Sequence, residues 1–168
     1  MNPSQALRAE RTGLTAEATI LGTLRGRGYQ EYVPPRRTTT TIATIQHPLG
    51  LIELDQAPPR HVVRQCLVGT TIYGTPALAD FVITGAPHWP RGLAIESKWQ
   101  YAPGSVDEKL PFLVFSIQRG YSLPTIIVAD GGGHRAEALA WLRRQVDGAQ
   151  LCGVFSIVEF LTWANRTL

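Results

Sequence analysis

Hydrophobic positions follow two different periods in the first half of the chain. Residues 14–28 carry apolar side chains at helical spacing and end at two glycines. Residues 77–83 and 93–99 are short runs rich in apolar and β-branched side chains, and Gly and Pro interrupt the pattern between them. The pattern predicts a first helix, a strand within residues 61–74, and then a β-hairpin.

The second half of the chain alternates helix and strand. Apolar residues share one helical face in 106–117, residues 124–131 form an apolar run, and residues 134–146 form an amphipathic pattern. Residues 151–168 read as a last strand that leads into a short terminal helix. An antiparallel hairpin followed by β-α-β crossovers predicts an α/β fold, with a mixed sheet flanked by helices on both faces.

The helix that follows the hairpin has two possible starts. Ser105 and Glu108 have the spacing of a capping box, which favours a start at Ser105. Pro111 would then fall inside the helix, where it removes a backbone hydrogen bond. A start at Leu110 instead places Pro111 in the first turn and leaves the preceding residues as a loop.

Composition and length indicate one globular domain over residues 1–168, since 44% of the residues are hydrophobic and 17% are charged. Residues 31–60 contain two adjacent prolines and a threonine run, and we interpret them as an insertion packed beside the cleft or at a dimer contact.

Charge, cysteine content and targeting segments limit the function further. The net charge of +3 permits a polyanionic partner without requiring one. Two cysteines exclude a disulfide framework. The sequence shows no signal-like or membrane-spanning segment, so we expect a cytoplasmic protein.

Three charged residues fall within the predicted hairpin. Asp80 lies on its first strand, and Glu96 and Lys98 lie two apart on its second strand, so their side chains share one face. Asp80 joins them in either of two registers, whereas a slip of one residue would send it to the other face. Ionised groups inside a sheet are costly unless they are paired or bind a metal.

Two interpretations account for these charges. Two carboxylates suit Mg²⁺, which takes oxygen ligands and keeps waters, and a nearby ammonium could orient the attacking water or stabilise phosphate charge during phosphodiester hydrolysis. Alternatively, the three residues form a cross-strand salt bridge, because opposite charges often pair across strands.

The spacing Asp80-x15-Glu96-Ser-Lys98 resembles the active-site motif of the PD-(D/E)XK nuclease superfamily, which has the restriction-endonuclease-like fold. Three further features agree with this resemblance: Glu17 within "GLTAEATILGTLRGRGY", Gln100 at the end of "ESKWQ", and the segment "GSVDEKLPFLVFSI". The element order matches the family's α-β-β-β-α-β core. Ala79 stands where the family name has proline, a difference that the superfamily often shows.

The resemblance implies a divalent-metal-dependent endonuclease that hydrolyses DNA, nearest to restriction-type enzymes. Asp80 and Glu96 would be the metal ligands for Mg²⁺, with Mn²⁺ as a substitute. Lys98 would be the catalytic cation, and Glu17 and Gln100 would support it.

Two further residues are candidate substrate contacts. Ser105 and Lys109 follow the motif strand and either contact substrate or are solvated. A homodimer is expected because one active site cuts one strand, and the setting would be bacterial, archaeal or phage-encoded. A Holliday-junction-resolvase-like enzyme and an inactive DNA-binding module of the same fold remain alternatives, as does an unrelated α/β domain with a structural ion network.

Overall fold

The computed structural model describes residues 3–32, 60–101 and 106–168. Ten elements follow one another along the chain: α1 (Pro3–Gly26), β1 (Gln30–Glu31), β2 (His61–Thr70), β3 (Pro76–Ile83), β4 (Leu93–Trp99), α2 (Val106–Gly120), β5 (Thr125–Asp130), α3 (Ala136–Arg144), β6 (Leu151–Phe155) and α4 (Ile157–Thr167).

The six strands form one mixed sheet in the order β1-β2-β3-β4-β5-β6. Strands β2, β3 and β4 are antiparallel neighbours, whereas β4, β5 and β6 run parallel. Helix α2 connects β4 to β5 and helix α3 connects β5 to β6, since parallel neighbours need a crossover connection. The predicted α/β architecture is therefore confirmed, including the restriction-endonuclease-like α-β-β-β-α-β core.

Each face of the sheet buries its own set of side chains because successive strand residues point to opposite sides. One face, which we call the α1 face, packs against helices α1 and α4; the other, the α2 face, packs against α2 and α3. The α1 face includes Ile20, Leu24, Phe81, Ile95, Val128 and Phe160. The α2 face includes Leu110, Val114, Ile127, Ala129 and Leu142 beneath the two crossover helices.

The start of α1 differs from its predicted position, and the start of α2 decides between the two predicted alternatives. Helix α1 begins at Pro3 rather than at residue 14, because residues 6–10 read Ala-Leu-Arg-Ala-Glu and have high helix propensity without a long apolar stripe. Helix α2 begins at Val106, so the alternative start at Leu110 is wrong. Pro111 lies inside the helix, where the burial of Leu110 and Val114 against the sheet offsets its missing N–H.

The predicted insertion over residues 31–60 falls mostly outside the described residues, which resume at Arg60. Its two ends are neighbours, because the short strand β1 pairs in parallel with β2 through Gln30 and His61. The backbone N–H of Gln30 also donates to the carbonyl of Arg60 at 2.8 Å. The role of this segment in a cleft or a dimer stays a prediction. Within the described part of the chain, no helix combines the length and the apolar character needed to cross a bilayer.

Candidate active site

The register of the β3–β4 hairpin brings the predicted charges together. Phe81 pairs with Ile95, and continuing this pairing by one residue sets Asp80 opposite Glu96. Beyond the last paired residues, the backbone N–H of Ser97 donates to Asp80 Oδ2 at 2.7 Å. A side-chain carboxylate thus joins the two strands where their backbone pairing ends.

The ammonium of Lys98 lies between the two carboxylates. Its Nζ is 2.6 Å from Glu96 Oε2 and 3.4 Å from Asp80 Oδ2. We call Asp80, Glu96 and Lys98 the acid–lysine cluster. The Glu96 side chain is 3% exposed, whereas those of Asp80 and Lys98 are 19% and 27% exposed. The cluster is therefore buried on its Glu96 side and open to solvent on its Asp80 and Lys98 side.

Tyr121 holds the second oxygen of Glu96. Its hydroxyl donates to Glu96 Oε1 at 2.7 Å, while Lys98 bonds the other oxygen. Tyr121 follows helix α2 directly and packs against the buried residues of the α2 face. Its place in the site depends on the crossover connection, and no local sequence signal marks it.

Gln65 is a second residue of the site that sequence reasoning missed. It lies on β2 between the paired residues Arg64 and Cys66, so it opposes Asp80 on β3. Its side-chain Nε2 donates to Asp80 Oδ1 at 3.2 Å. Gln65 has a φ of +49°, in the left-handed region that side chains other than glycine rarely adopt. Backbone strain of this kind clusters at functional sites, where surrounding contacts maintain it.

The electrostatics of the cluster favour a neutral tyrosine and a charged lysine. Burial raises the pKa of the Glu96 carboxyl above its usual 4.5, although Lys98 opposes this shift. Burial alone would lower the pKa of Lys98, but Glu96 and Asp80 outweigh it and raise that pKa above 10.5. Burial and the nearby Glu96 carboxylate raise the pKa of Tyr121, so its hydroxyl remains a donor.

Glu17 has a different partner from the acid–lysine cluster. Its carboxylate accepts a hydrogen bond from the Arg64 guanidinium at 2.8 Å. Arg64 lies over the ring of Phe81, which belongs to the α1 face, whereas Glu96 follows Ile95 and points to the α2 face. Among the described residues, no hydrogen bond or ion pair links Glu17 to the cluster, and its supporting role stays a prediction.

The remaining predicted residues have separate positions. Gln100 is buried just beyond β4, and its backbone N–H donates to the carbonyl of Asp130 at 2.9 Å. Lys109 is exposed on helix α2. Ser105 lies outside the described residues. The roles of these three residues therefore stay predictions.

The donor set fits a hard divalent cation. Asp80 and Glu96 present carboxylate oxygens at the open end of the hairpin, and an ammonium already lies between them. No group of three or more metal-ligating side chains occurs within the ranges that the structure describes. Mg²⁺ is commonly bound by one or two carboxylates together with waters and substrate phosphates. Two carboxylates, of which Asp80 is partly exposed and Glu96 is buried, therefore offer the oxygen ligands that a hard divalent cation takes.

Comparison with known families decides what kind of domain this is. The model of the PD-(D/E)XK nuclease superfamily domain matches residues 8–168. The chain belongs to the PD-(D/E)XK nuclease superfamily. Searches of curated proteins and of solved structures returned no significant match. The family resemblance predicted from the motif is confirmed, and it makes nucleic acid the substrate class and a divalent metal the usual cofactor of such enzymes.

Proposed function

We propose that this PD-(D/E)XK domain is a divalent-metal-dependent endonuclease that hydrolyses DNA phosphodiester bonds. The observation that carries the proposal is the convergence of two carboxylates and one ammonium at the open end of the β3–β4 hairpin. Asp80 and Glu96 would hold Mg²⁺, and Mn²⁺ would substitute for it. Lys98 would be the catalytic cation.

The metal and the residues around its ligands would have separate roles. Once bound, the metal would polarise the scissile phosphate and supply an activated water. Tyr121 and Gln65 each donate to one carboxylate oxygen, on Glu96 and Asp80 respectively, which limits the orientations that the two ligands can take. These contacts restrain the two carboxylates before substrate arrives.

The charge and position of Lys98 suit it to stabilise the phosphate or to orient the attacking water. Its raised pKa keeps it charged at neutral pH, and its side chain is partly exposed beside both carboxylates. An ammonium in this position stabilises the negative charge that develops on phosphate oxygens during hydrolysis. Restriction-type cleavage of duplex DNA and structure-specific cleavage of branched DNA both use this chemistry.

Nuclease assays with several substrates test this proposal. Purified protein is incubated with supercoiled, linear and branched DNA, and with RNA of matched sequence, in Mg²⁺, Mn²⁺ or EDTA. We expect metal-dependent nicking or linearisation of supercoiled DNA and no cleavage in EDTA. Preference for branched DNA would favour the resolvase-like alternative, and light scattering in the same buffer would show whether the active species is a dimer.

Two outcomes would contradict the proposal. Binding of DNA without cleavage in any metal would indicate an inactive DNA-binding module. Preferential hydrolysis of RNA would overturn the assignment of substrate. Glu96→Gln should lose cleavage, whereas its matched control Glu137→Gln, on the exposed side of α3, should cut like the parent.

A further inference from the structure

A buried histidine contacts the backbone of the lysine in the acid–lysine cluster. His134 lies in the loop between β5 and α3, and its side chain is only 1% exposed. Its Nδ1 is 2.8 Å from Asp107 Oδ1, in the first turn of α2. Its Nε2 is 3.2 Å from the backbone carbonyl oxygen of Lys98. One imidazole ring thus joins α2, the β5–α3 loop and the strand that carries the proposed catalytic cation.

Both ring nitrogens of His134 face groups that only accept hydrogen bonds. A carbonyl oxygen has no proton to donate, and neither has an ionised carboxylate. A neutral imidazole offers one donor and one acceptor, so one of its nitrogens would direct a lone pair at an oxygen. In a buried site that mismatch is costly, because no water can replace the missing bond. The geometry therefore favours a ring with a proton on each nitrogen.

Asp107 is equipped to be the counterion. Its Oδ1 faces His134, and its Oδ2 accepts from the backbone N–H of Arg135 at 3.1 Å. Burial alone would raise the pKa of Asp107, but the hydrogen bonds from His134 and Arg135 outweigh burial and hold that pKa below its usual 3.8. The Arg135 guanidinium approaches the same oxygen at 4.0 Å, from an exposed side chain. Asp107 is therefore an anion at neutral pH.

The backbone around His134 lies tightly against the end of β4. The N–H of Gly133 donates to the carbonyl of Gln100 at 2.8 Å. A Cβ on Gly131, which has a φ of +108°, would lie 2.4 Å from that same carbonyl oxygen. The loop therefore contacts two carbonyls, that of Lys98 on β4 through the histidine ring and that of Gln100 just beyond β4 through the backbone.

We propose that Asp107 and a doubly protonated His134 form a buried ion pair that positions Lys98 for catalysis by fixing its backbone carbonyl. His134 is a positioning residue, since it touches the backbone of Lys98 and neither the cluster carboxylates nor the open side of the site. The role assigned to Lys98 rests on the proposed nuclease function. The protonation of His134 does not, and the two are tested separately.

The first test reads the ring itself. In protein labelled with ¹⁵N-histidine, long-range ¹H–¹⁵N correlation at neutral pH distinguishes the imidazolium from either neutral tautomer. We expect both His134 nitrogens to show imidazolium shifts in the parent, and Asp107→Asn to convert the ring to a neutral tautomer. A neutral His134 in the folded parent would overturn the proposal, whether or not the protein cuts DNA.

The second test separates positioning from folding. In variants that unfold cooperatively like the parent, His134→Gln and Asp107→Asn should each lower kcat roughly 10- to 100-fold with KM for DNA unchanged, because small displacements of a catalytic group slow the chemical step. The double variant should lose no more than the worse single variant. The matched control is His88→Gln, an exposed histidine in the loop at the opposite end of β4, which should leave kcat unchanged.

The outcomes distinguish the two proposals. A parent protein that never cuts but shows an imidazolium at His134 would overturn the nuclease assignment and with it the catalytic role of the pair. An active parent whose folded His134→Gln variant keeps full kcat, or loses only DNA affinity, would overturn the positioning role alone.

Discussion

The two ends of the β3–β4 hairpin differ in what holds the strands together. Towards the loop, Phe81, Val82 and Ile83 pair by backbone with Ile95, Ala94 and Leu93, and all six side chains are fully buried. Towards the open end, the contacts are side-chain bonds. The Asp80 carboxylate accepts from the backbone of Ser97, and Lys98 bridges Asp80 to Glu96.

The difference shows how one hairpin can combine an apolar end that stabilises the fold with a polar end that holds charged side chains. The apolar end stabilises the hairpin through burial, at roughly 25 cal/mol per Å² of apolar surface. At the open end the backbone pairing of β3 with β4 stops, and Asp80 and Lys98 gain partial solvent access on rigid strands while Glu96 stays buried. We therefore expect substitutions at the apolar end to change stability and substitutions at the charged end to change cleavage.

The largest expected effect is on cleavage by carboxylate variants. Asp80→Ala and Glu96→Ala should reduce Mg²⁺-dependent cleavage by about three orders of magnitude or more, because each removes a proposed metal ligand. In EDTA both should bind DNA as well as the parent or better, since one negative charge facing the phosphates is gone. Single-turnover cleavage and fluorescence anisotropy measure the two effects.

A purely structural ion network would give the opposite pattern. Each truncation would then leave a buried charge without its partner and lower the free energy of unfolding by about 3–5 kcal/mol. Glu137→Ala, on the exposed side of α3, is the control for a carboxylate truncation and should change neither cleavage nor the free energy of unfolding.

At the apolar end the expected effect is on stability. Ile95→Ala should lower the free energy of unfolding by about 2–5 kcal/mol, because Ile95 is fully buried and its truncation leaves a cavity. Ile72→Ala, at an exposed isoleucine after β2, should cost less than about 0.5 kcal/mol. Urea denaturation followed by circular dichroism measures both. A loss at Ile95 no larger than that at Ile72 would mean that this end of the hairpin does not stabilise the fold.

The pH dependence sharpens the role of Glu96. Since burial raises its pKa above 4.5, protonation, which removes the charge needed for a metal ligand, begins at a higher pH than for an exposed glutamate. Cleavage at limiting Mg²⁺ should therefore fall roughly tenfold per pH unit along an acid limb that lies above pH 4.5. Single-turnover rates over the acid range check this. An acid limb below pH 4.5 would show that Glu96 titration does not control metal use.

The smallest expected effect concerns Tyr121. Tyr121→Phe removes one hydrogen bond to Glu96, so it should cost about 1 kcal/mol of stability and weaken metal affinity about tenfold. The control is Tyr73→Phe, because Tyr73 is 78% exposed. Calorimetric titration with Mn²⁺ and thermal denaturation provide the readouts. Equal metal affinity in the Tyr121 variant and the parent would mean that Glu96 needs no orienting partner.

The hairpin and its motif could be predicted because their signals are local. Apolar runs define both strands, and the spacing from Asp80 to Lys98 is readable without any tertiary information. Gln65 and Tyr121 could not be predicted, since a left-handed φ at a glutamine has no local signature and the contact of Tyr121 with Glu96 spans helix α2 and its packing. The partner of Glu17 likewise depends on which face of the sheet receives α1.

The predicted insertion illustrates a different limit. Its composition separates it from the core pattern, but proline and threonine content does not determine what a segment contacts. The contacts of the buried His134 could not be predicted either, because nothing near it in sequence indicates Asp107 or the Lys98 carbonyl as a partner. Local periodicity predicts elements, whereas these contacts arise only when distant elements pack.

Direct measurement of metal binding tests the central claim that the charged end of the hairpin is a catalytic metal site. Electron paramagnetic resonance and calorimetry with Mn²⁺ would compare the parent with Asp80→Asn, Glu96→Gln and Lys98→Met. We expect saturable binding to the parent, loss of that binding in both carboxylate variants, and retention in Lys98→Met, with cleavage lost in all three. Absence of Mn²⁺ binding in the folded parent, or unchanged binding after both carboxylates are replaced, would contradict the account.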